Sequence, residues 1–236
     1  MPFKFLGFRI SSISARFRFP DTATGLVLCL LVGIVAGLGA VAFRRLISLF
    51  QHIFFDQGAH LSAFLGHYYI ILMPIAGGLL IGPMIYFLAR EAKGHGVPEV
   101  MEAVTLEGGR IRPIVALVKT VASSLCIGSG GSVGREGPIV QIGSSFGSTI
   151  GQWLKLSTEQ IQMLVACGAA GGIAATFNSP IAGALFALEI ILRRVITPRF
   201  AYVILSAITA DYVASFFLGD KRMFEVPQFS AVLSSA

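Results

Sequence analysis

The stretch Gly128-Ser129-Gly130-Gly131-Ser132-Val133-Gly134-Arg135-Glu136-Gly137-Pro138 interrupts a strongly apolar chain. Its glycines leave backbone amides accessible between residues 128 and 134, because glycine carries no side chain. Pro138 favours the first turn of a helix, since proline has no N–H to leave unpaired and its φ angle is preset. The apolar run over residues 138–154 is therefore predicted to be a helix that begins sharply after the glycine-rich segment.

The composition places this helix start inside a membrane. Hydrophobic residues make up 55% of the 236 residues, charged residues only 13%, and the mean hydropathy is +0.79. These values are too apolar for an ordinary soluble domain of this length. Residues 24–43, 69–89 and 200–218 each match the roughly 20 residues that cross a hydrocarbon core of about 30 Å. We therefore expect an all-α, multi-pass integral membrane protein.

The distribution of basic residues predicts the orientation in the membrane. Basic side chains precede the first span and follow the second: Lys4, Arg9, Arg16, Arg18, Arg90 and Lys93. The positive-inside rule places both groups, and so the N-terminus, in the cytoplasm. His52, Asp56, His60 and His67 then fall outside. Arg44 and Arg45, at the predicted end of the first span, oppose this orientation, although long basic side chains can snorkel to the interface. The net charge of +6 is thus attributed to topology, and no nucleic-acid partner is expected.

These signals divide the chain into three parts. Residues 1–20 alternate basic and apolar residues and are expected to lie as a cytoplasmic amphipathic helix on the membrane surface; a disordered tail is the alternative. Residues 21–218 form the predicted transmembrane domain, and residues 219–236 are a polar C-terminal stretch. Two pairs of glycines, Gly33 with Gly37 and Gly78 with Gly82, predict close approach of another helix.

Between residues 97 and 192 the apolar segments are shorter and broken by glycine and proline. They cover residues 97–106, 113–127, 138–154, 161–176 and 180–192, and several are too short to cross a membrane alone. Four contain a proline at the predicted start: Val97-Pro98, Arg112-Pro113, Gly137-Pro138 and Ser179-Pro180. Broken helices are tolerated in a bilayer only where their unpaired backbone groups face protein or a wet cavity. Such half-helices usually surround an ion site.

Glu136 is the candidate functional side chain at the start of the helix after the glycine run. The unpaired N–H groups of a helix start carry about half a positive charge and attract anions. An ionised Glu136 would compete with a mobile anion for this position, and a protonated one would release it, so one residue could be both gate and proton carrier. The alternative is a glutamate that only stabilises the helix start. The cost of a carboxylate inside a membrane favours the functional interpretation.

These motifs resemble those of the CLC family of chloride channels and proton-coupled chloride exchangers. Residues 134–143 match the family's gating-glutamate motif, and Gly94-His95-Gly96-Val97-Pro98-Glu99 matches its upstream anion-ligand motif except at His95. Phe177-Asn178-Ser179-Pro180-Ile181-Ala182-Gly183 is similar to the start of a later family helix. The resemblance covers about residues 20–218 and implies broken and re-entrant helices in the first half of an inverted-repeat fold.

The resemblance also implies the site residues. Glu136 is similar to the external gate, and chloride would be bound by residues of both motifs: Gly94, His95, Gly96, Val97, Gly134, Arg135, Gly137 and Pro138. The amides of Arg135, Glu136 and Gly137 resemble the donors to the outer anion site. His95 stands where the family commonly has a serine, so its imidazole puts anion preference and pH response in question. The alternative is that His95 turns away and only the amides of Gly96 and its neighbours bind.

Two further charged residues have family counterparts. Glu189 is similar to a glutamate near the cytoplasmic mouth of the proton route, but Ile190 follows it where exchangers often have a second glutamate. An ion pair with Arg193, one turn later, is the alternative for Glu189. Lys119 would raise the local positive potential, and its alternative is an ion pair inside the helix.

The family's membrane domain consists of two inverted halves, and this chain holds the first. We therefore expect it to require a second half to form a pore, as a chloride channel or a proton-coupled exchanger; the alternative is a non-conducting half-subunit or regulatory membrane scaffold. The expected ligand is chloride, with protons in an exchanger, without a cofactor or a metal site. A homodimer or an assembly with the second half is expected. An enzyme is not, because the glycine run lacks both the phosphate-loop and the dinucleotide fingerprints.

Overall fold

The computed structural model describes residues 22–58, 66, 68–193 and 200–219, and no β-strand occurs among them. The predicted segment 1–20, His60, His67 and residues 220–236 of the predicted C-terminal stretch lie outside the described residues. The predicted all-α architecture is confirmed, because helices cover almost all of the described chain.

We number the α-helices in chain order. They are α1 (Thr22–Gln51), α2 (Tyr69–Leu88), α3 (Val97–Leu106), α4 (Pro113–Gly128), α5 (Glu136–Trp153), α6 (Thr158–Phe177), α7 (Pro180–Phe186) and α8 (Phe200–Leu218). In the described part of the chain, tighter or wider turns extend some of them: a π-helical turn at His52–Gln57 after α1, a 3₁₀ turn at Arg90–Lys93 after α2, and a π-helical turn at Ala187–Ile191 after α7.

Four helical stretches in the described part of the chain are long and apolar enough to cross a membrane: Ala23–Gln57, Tyr69–Leu88, Thr158–Phe177 and Phe200–Leu218. The segment predicted over residues 161–176 is longer than expected, because α6 is capped at both ends. Ser157 Oγ accepts the N–H of Gln160 at 3.4 Å, and Asn178 ends the helix in the left-handed conformation with φ of 53°. The resulting 20 residues correct the prediction of a short segment.

The first helix also runs past its predicted end. No glycine or proline follows Arg45 until Gly58, so helical structure continues through Gln57. Arg44 and Arg45 therefore lie within a continuous helix and do not terminate it. The helix that contains Glu136 differs too, since it begins at Glu136 itself, two residues before Pro138.

Helices α5 and α6 pack backbone against backbone through glycines. A methyl group added to Gly143 would collide with the carbonyl oxygen of Gly168, and one added to Gly168 would collide with that of Gly143. Gly147 makes the same kind of contact with the carbonyl oxygen of Leu164. Most of α5 after its first turn is buried by this packing. The buried part of the helix therefore fixes the position of its first residue, Glu136.

The two predicted glycine pairs behave differently. A methyl group at Gly33 would lie 2.6 Å from the carbonyl oxygen of Ser206, and one at Gly37 would lie 2.7 Å from that of Ala210. The predicted close approach is therefore confirmed for the first pair, which packs on α8. At Gly78 and Gly82 nothing lies within 4 Å of an added methyl group, so no described helix approaches α2 closely at this pair.

Candidate functional site

Two glycine motifs that are distant in sequence touch each other through their backbones. Gly96 has φ of 107°, a conformation that L side chains rarely adopt, and an added methyl group would collide with the carbonyl group of Gly137. A methyl group at Gly137 would in turn collide with the carbonyl oxygen of His95. Glycine is thus required on both sides of the contact, which brings the turn before α3 against the first turn of α5.

A cavity of about 490 Å³ opens beside this contact. It is lined by most of the residues that the sequence singled out: Gly94, His95, Val97, Lys119, Gly134, Glu136, Gly137 and Pro138. Helices α2 and α4 supply further walls through Ile81, Ile85, Ala122, Ser123 and Cys126. Gly96 and Arg135 adjoin lining residues without lining the cavity themselves. Tertiary packing thus brings the two predicted anion motifs to one concave surface.

Glu136 is the first residue of α5 and is exposed on the surface of this chain. Its carboxylate folds back beside Gly134, where it occupies the space that a side chain at position 134 would fill. No side chain caps the N-terminus of α5. The partial positive charge of this helix start therefore lies at the cavity, close to the Glu136 carboxylate.

The start of α3 is capped, in contrast, by a residue that sequence reasoning did not single out. Glu99 Oε2 accepts the backbone N–H of Gly96 at 2.6 Å, and the same carboxylate packs against Gly94. The Gly96 N–H, which is predicted to bind the anion, donates its hydrogen bond to Glu99 in this structure. The signal was present in the sequence, because a glutamate three residues after a helix start has the spacing of a capping box.

Lys119 is 4% exposed and lies on α4. Its Nζ donates hydrogen bonds to the carbonyl oxygens of Gly94 at 2.6 Å and Ala92 at 3.1 Å. No described carboxylate lies within ion-pair distance of this ammonium group, so the alternative of an ion pair inside the helix is wrong for the described chain. A buried cation therefore holds the turn that precedes His95 and adds positive charge at the cavity.

His95 is exposed and lines the cavity. Among the described residues no hydrogen-bond partner is found for its imidazole. The placement at the cavity is compatible with the predicted ligand role.

Glu189 lies away from the cavity, in the π-helical turn after α7. It is exposed, and this turn packs against α3. The alternative of an ion pair with Arg193 is wrong within the described chain, because Arg193 has left-handed backbone with φ of 52° and the regular one-turn spacing is lost before it. The role of Glu189 on a proton route stays a prediction.

The sequence of this chain is similar to those of known proteins. A family model described as the voltage gated chloride channel matches residues 77–235. A ClcB-like chloride channel protein of Ralstonia nicotianae is 37% identical over 210 residues, covering 86% of this chain and 49% of the relative. The H⁺/Cl⁻ exchange transporter ClcA of Vibrio cholerae is 34% identical over 220 residues, covering 87% of this chain and 45% of the relative. The chain thus spans about half the length of the curated relatives it matches.

Solved structures show the same fold. A slow cyanobacterial Cl⁻/H⁺ antiporter superposes with a TM-score of 0.73 and 23% identity, over 87% of this chain and 49% of the antiporter chain. A CLC-type fluoride/proton antiporter superposes with a TM-score of 0.69 and 23% identity, over 88% of this chain and 50% of the other.

Proposed function

Because this chain belongs to the voltage-gated chloride channel family, the CLC family, we propose that it carries chloride or a similar small anion through the cavity at the start of α5. The observation that supports this most directly is the juxtaposition of an uncapped helix start, a carboxylate and a buried ammonium group around one cavity. Its relatives are a chloride channel protein and H⁺/Cl⁻ exchange transporters, so transport without covalent chemistry is the activity proposed.

The charges around the cavity favour an anion as the ligand. Lys93 and Lys119 both line it, and the N-terminus of α5 adds a partial positive charge. Among the described lining residues, Glu136 is the only one with a carboxylate. A small anion can therefore replace the Glu136 carboxylate at the helix start without leaving the positive field unbalanced.

Glu136 is the proposed gate. When ionised, its carboxylate competes with the mobile anion for the α5 helix start, and protonation removes that competition. The side chain is exposed at the first residue of α5, so no packing in this chain holds the carboxylate in place. The same proton could be carried across in an exchanger; a channel would use it only for gating.

The proposed pathway needs a further wall. Glu136, Gly134 and His95 are all exposed on the surface of this chain, so the cavity is open on that side. We propose that a second, inverted half supplies this wall, either from the same polypeptide or from another one. A second candidate function follows from the same exposure: a half-subunit or regulatory scaffold that assembles with other chains and does not conduct.

Chloride flux from liposomes tests the proposal. The chain would be reconstituted alone and together with the second half of a CLC relative, as wild type, Glu136→Gln and Glu136→Ala. The wild-type assembly should release chloride at a rate that depends on pH, and both variants should lose that dependence, because neither replacement can change its charge. Glu102→Gln, which alters an exposed glutamate outside the cavity, is the matched control and should behave as wild type.

The outcomes separate the candidates. Retention of the pH response in both Glu136 variants would exclude Glu136 as the gate. Stable assembly without any chloride flux would favour the half-subunit. Proton movement against its gradient, driven by chloride, would identify an exchanger, and robust chloride flux without it would identify a channel.

A further inference from the structure

A second cavity, of about 370 Å³, lies where α2 ends. Its lining residues are Gly82, Ile85, Tyr86, Arg90 and Lys93. One wall is therefore apolar and belongs to a membrane-crossing helix, and the other carries two positive charges from the 3₁₀ turn that follows. None of the described residues that line it is acidic.

The apolar wall of this cavity has open space at Gly82. Gly77 is the only described residue of α2 that is buried, so most side chains of this helix are exposed or half-buried. Gly82 has no Cβ, and nothing lies within 4 Å of the position that a Cβ would take. A groove is thus left at Gly82 beside Ile85, of a kind that an acyl chain can enter in a bilayer.

The basic wall of this cavity is formed by residues that follow the C-terminal end of α2. Ala89 has extended backbone with φ of −155° and is 1% exposed, so the chain turns at this residue. This turn brings the Arg90 guanidinium over the ring of Tyr86, 4.8 Å from the ring centroid, in a cation–π contact. Arg90 and Lys93 are three residues apart, which puts them on one side of a 3₁₀ turn. Two cations therefore border the same cavity.

We propose that this cavity binds the headgroup of an anionic phospholipid, with its acyl chain along Gly82. A phosphate between Arg90 and Lys93 would satisfy both cations, and the apolar wall at the end of a membrane helix matches the glycerol and acyl region next to it. Basic pockets beside membrane helices, on the side that the positive-inside rule makes cytoplasmic, are established binding sites for such headgroups. This inference does not depend on the transport proposed above.

Native mass spectrometry of the full chain tests the site. The chain would be released from micelles that contain either dioleoylphosphatidylglycerol or dioleoylphosphatidylcholine, and the fraction that retains lipid would be counted. We expect selective retention of phosphatidylglycerol. Arg90→Gln should lower that retention by about five-fold, the effect of one basic side chain near a lipid surface. Arg90 is the residue of choice because Lys93 also lines the anion cavity.

Matched variants control for charge and for bulk. Arg45→Gln removes an exposed arginine elsewhere and should leave retention unchanged. Gly82→Leu should block the groove, whereas Gly78→Leu, one turn earlier and equally open but outside the cavity, should not. Thermal transitions of all four variants would show that each is folded, and Arg90→Gln tests the site even if Gly82→Leu does not fold.

Three results would overturn the proposal. Equal retention of the two lipids would show that the negative charge of the phosphatidylglycerol headgroup is not recognised. An equal effect of Arg45→Gln and Arg90→Gln would show that this charge is not bound at the cavity. Displacement of phosphatidylglycerol by inorganic phosphate as readily as by a short-chain phosphatidylglycerol would indicate an anion site without a lipid.

Discussion

At the scale of single residues, the site depends on two glycines whose backbones touch. Gly96 requires a positive φ, and both Gly96 and Gly137 lie against carbonyl groups of the opposite motif. This contact sets the distance between His95 and the start of α5. Any side chain at either position must separate the two motifs or distort them, and the anion cavity beside them would change shape.

Replacement of either glycine by alanine is therefore predicted to destabilise the fold. Gly137→Ala should lower the free energy of unfolding by about 1–3 kcal/mol, the usual effect of overpacking, and Gly96→Ala by at least as much because strain at φ of 107° adds to the collision. Thermal unfolding in detergent would measure both. Gly82→Ala, which meets open space, is the control, and a Gly96→Ala transition as high as that of the control would contradict the prediction.

At the scale of elements, the two helix starts at the cavity differ in how their amides are used. The start of α3 is occupied by the carboxylate of Glu99, and the turn before it is held by Lys119 through the carbonyl oxygens of Ala92 and Gly94. The start of α5 has no side-chain cap. One helix start is thus fixed by the protein's own groups, whereas the amides of the other have no side-chain acceptor.

The Glu99 cap gives a prediction about stability. Glu99→Ala removes the acceptor of the Gly96 amide and should lower the free energy of unfolding by about 1 kcal/mol, the usual contribution of a helix cap. Glu99→Gln keeps an acceptor oxygen and should restore most of that free energy. Thermal unfolding in detergent would measure both variants.

Glu102→Ala, also on α3 but exposed and without this bond, is the control for the Glu99 variants. Equal destabilisation by Glu99→Ala and Glu99→Gln would mean that the charge of Glu99 matters and its hydrogen bond does not.

At the scale of the whole molecule, packing is uneven around the site. Helices α1, α5, α6 and α8 form a core with close glycine contacts, but α2 is exposed and the cavity opens to the surface at Glu136 and His95. The chain spans about half the length of its curated relatives. The open side of the cavity is where a second half would be expected to pack.

Thiol labelling can measure whether a second half covers the open side of the cavity. In a Cys126→Ala background, which removes the native thiol at the cavity, His95→Cys should react with a water-soluble thiol reagent in the isolated chain. Assembly with a second half should slow that reaction severalfold, while Glu107→Cys, exposed and outside the anion cavity, should react at the same rate in both states. Unchanged labelling of His95→Cys in a verified assembly would place the second half elsewhere.

Much of this arrangement could be predicted from local patterns. Apolar length predicted the membrane helices, and proline after a turn predicted the interrupted helices within a few residues, because both are properties of neighbouring residues. The two anion motifs were recognisable for the same reason. The limits of α6 and α1 were less accurate, since they depend on the cap at Ser157 and on the absence of any helix breaker after Arg45.

The amino-acid sequence by itself therefore determined that this protein is helical, lies in a membrane and carries Glu136 at a helix start. Only the tertiary structure decided that Gly96 meets Gly137, that Lys119 binds the carbonyl of Gly94, and that the His95 and Glu136 motifs share one cavity. The physical reason is how far apart in sequence the contacting residues lie. Helix starts follow from residues next to each other, whereas these contacts join residues tens of positions apart and exist only because the packed helices hold them together.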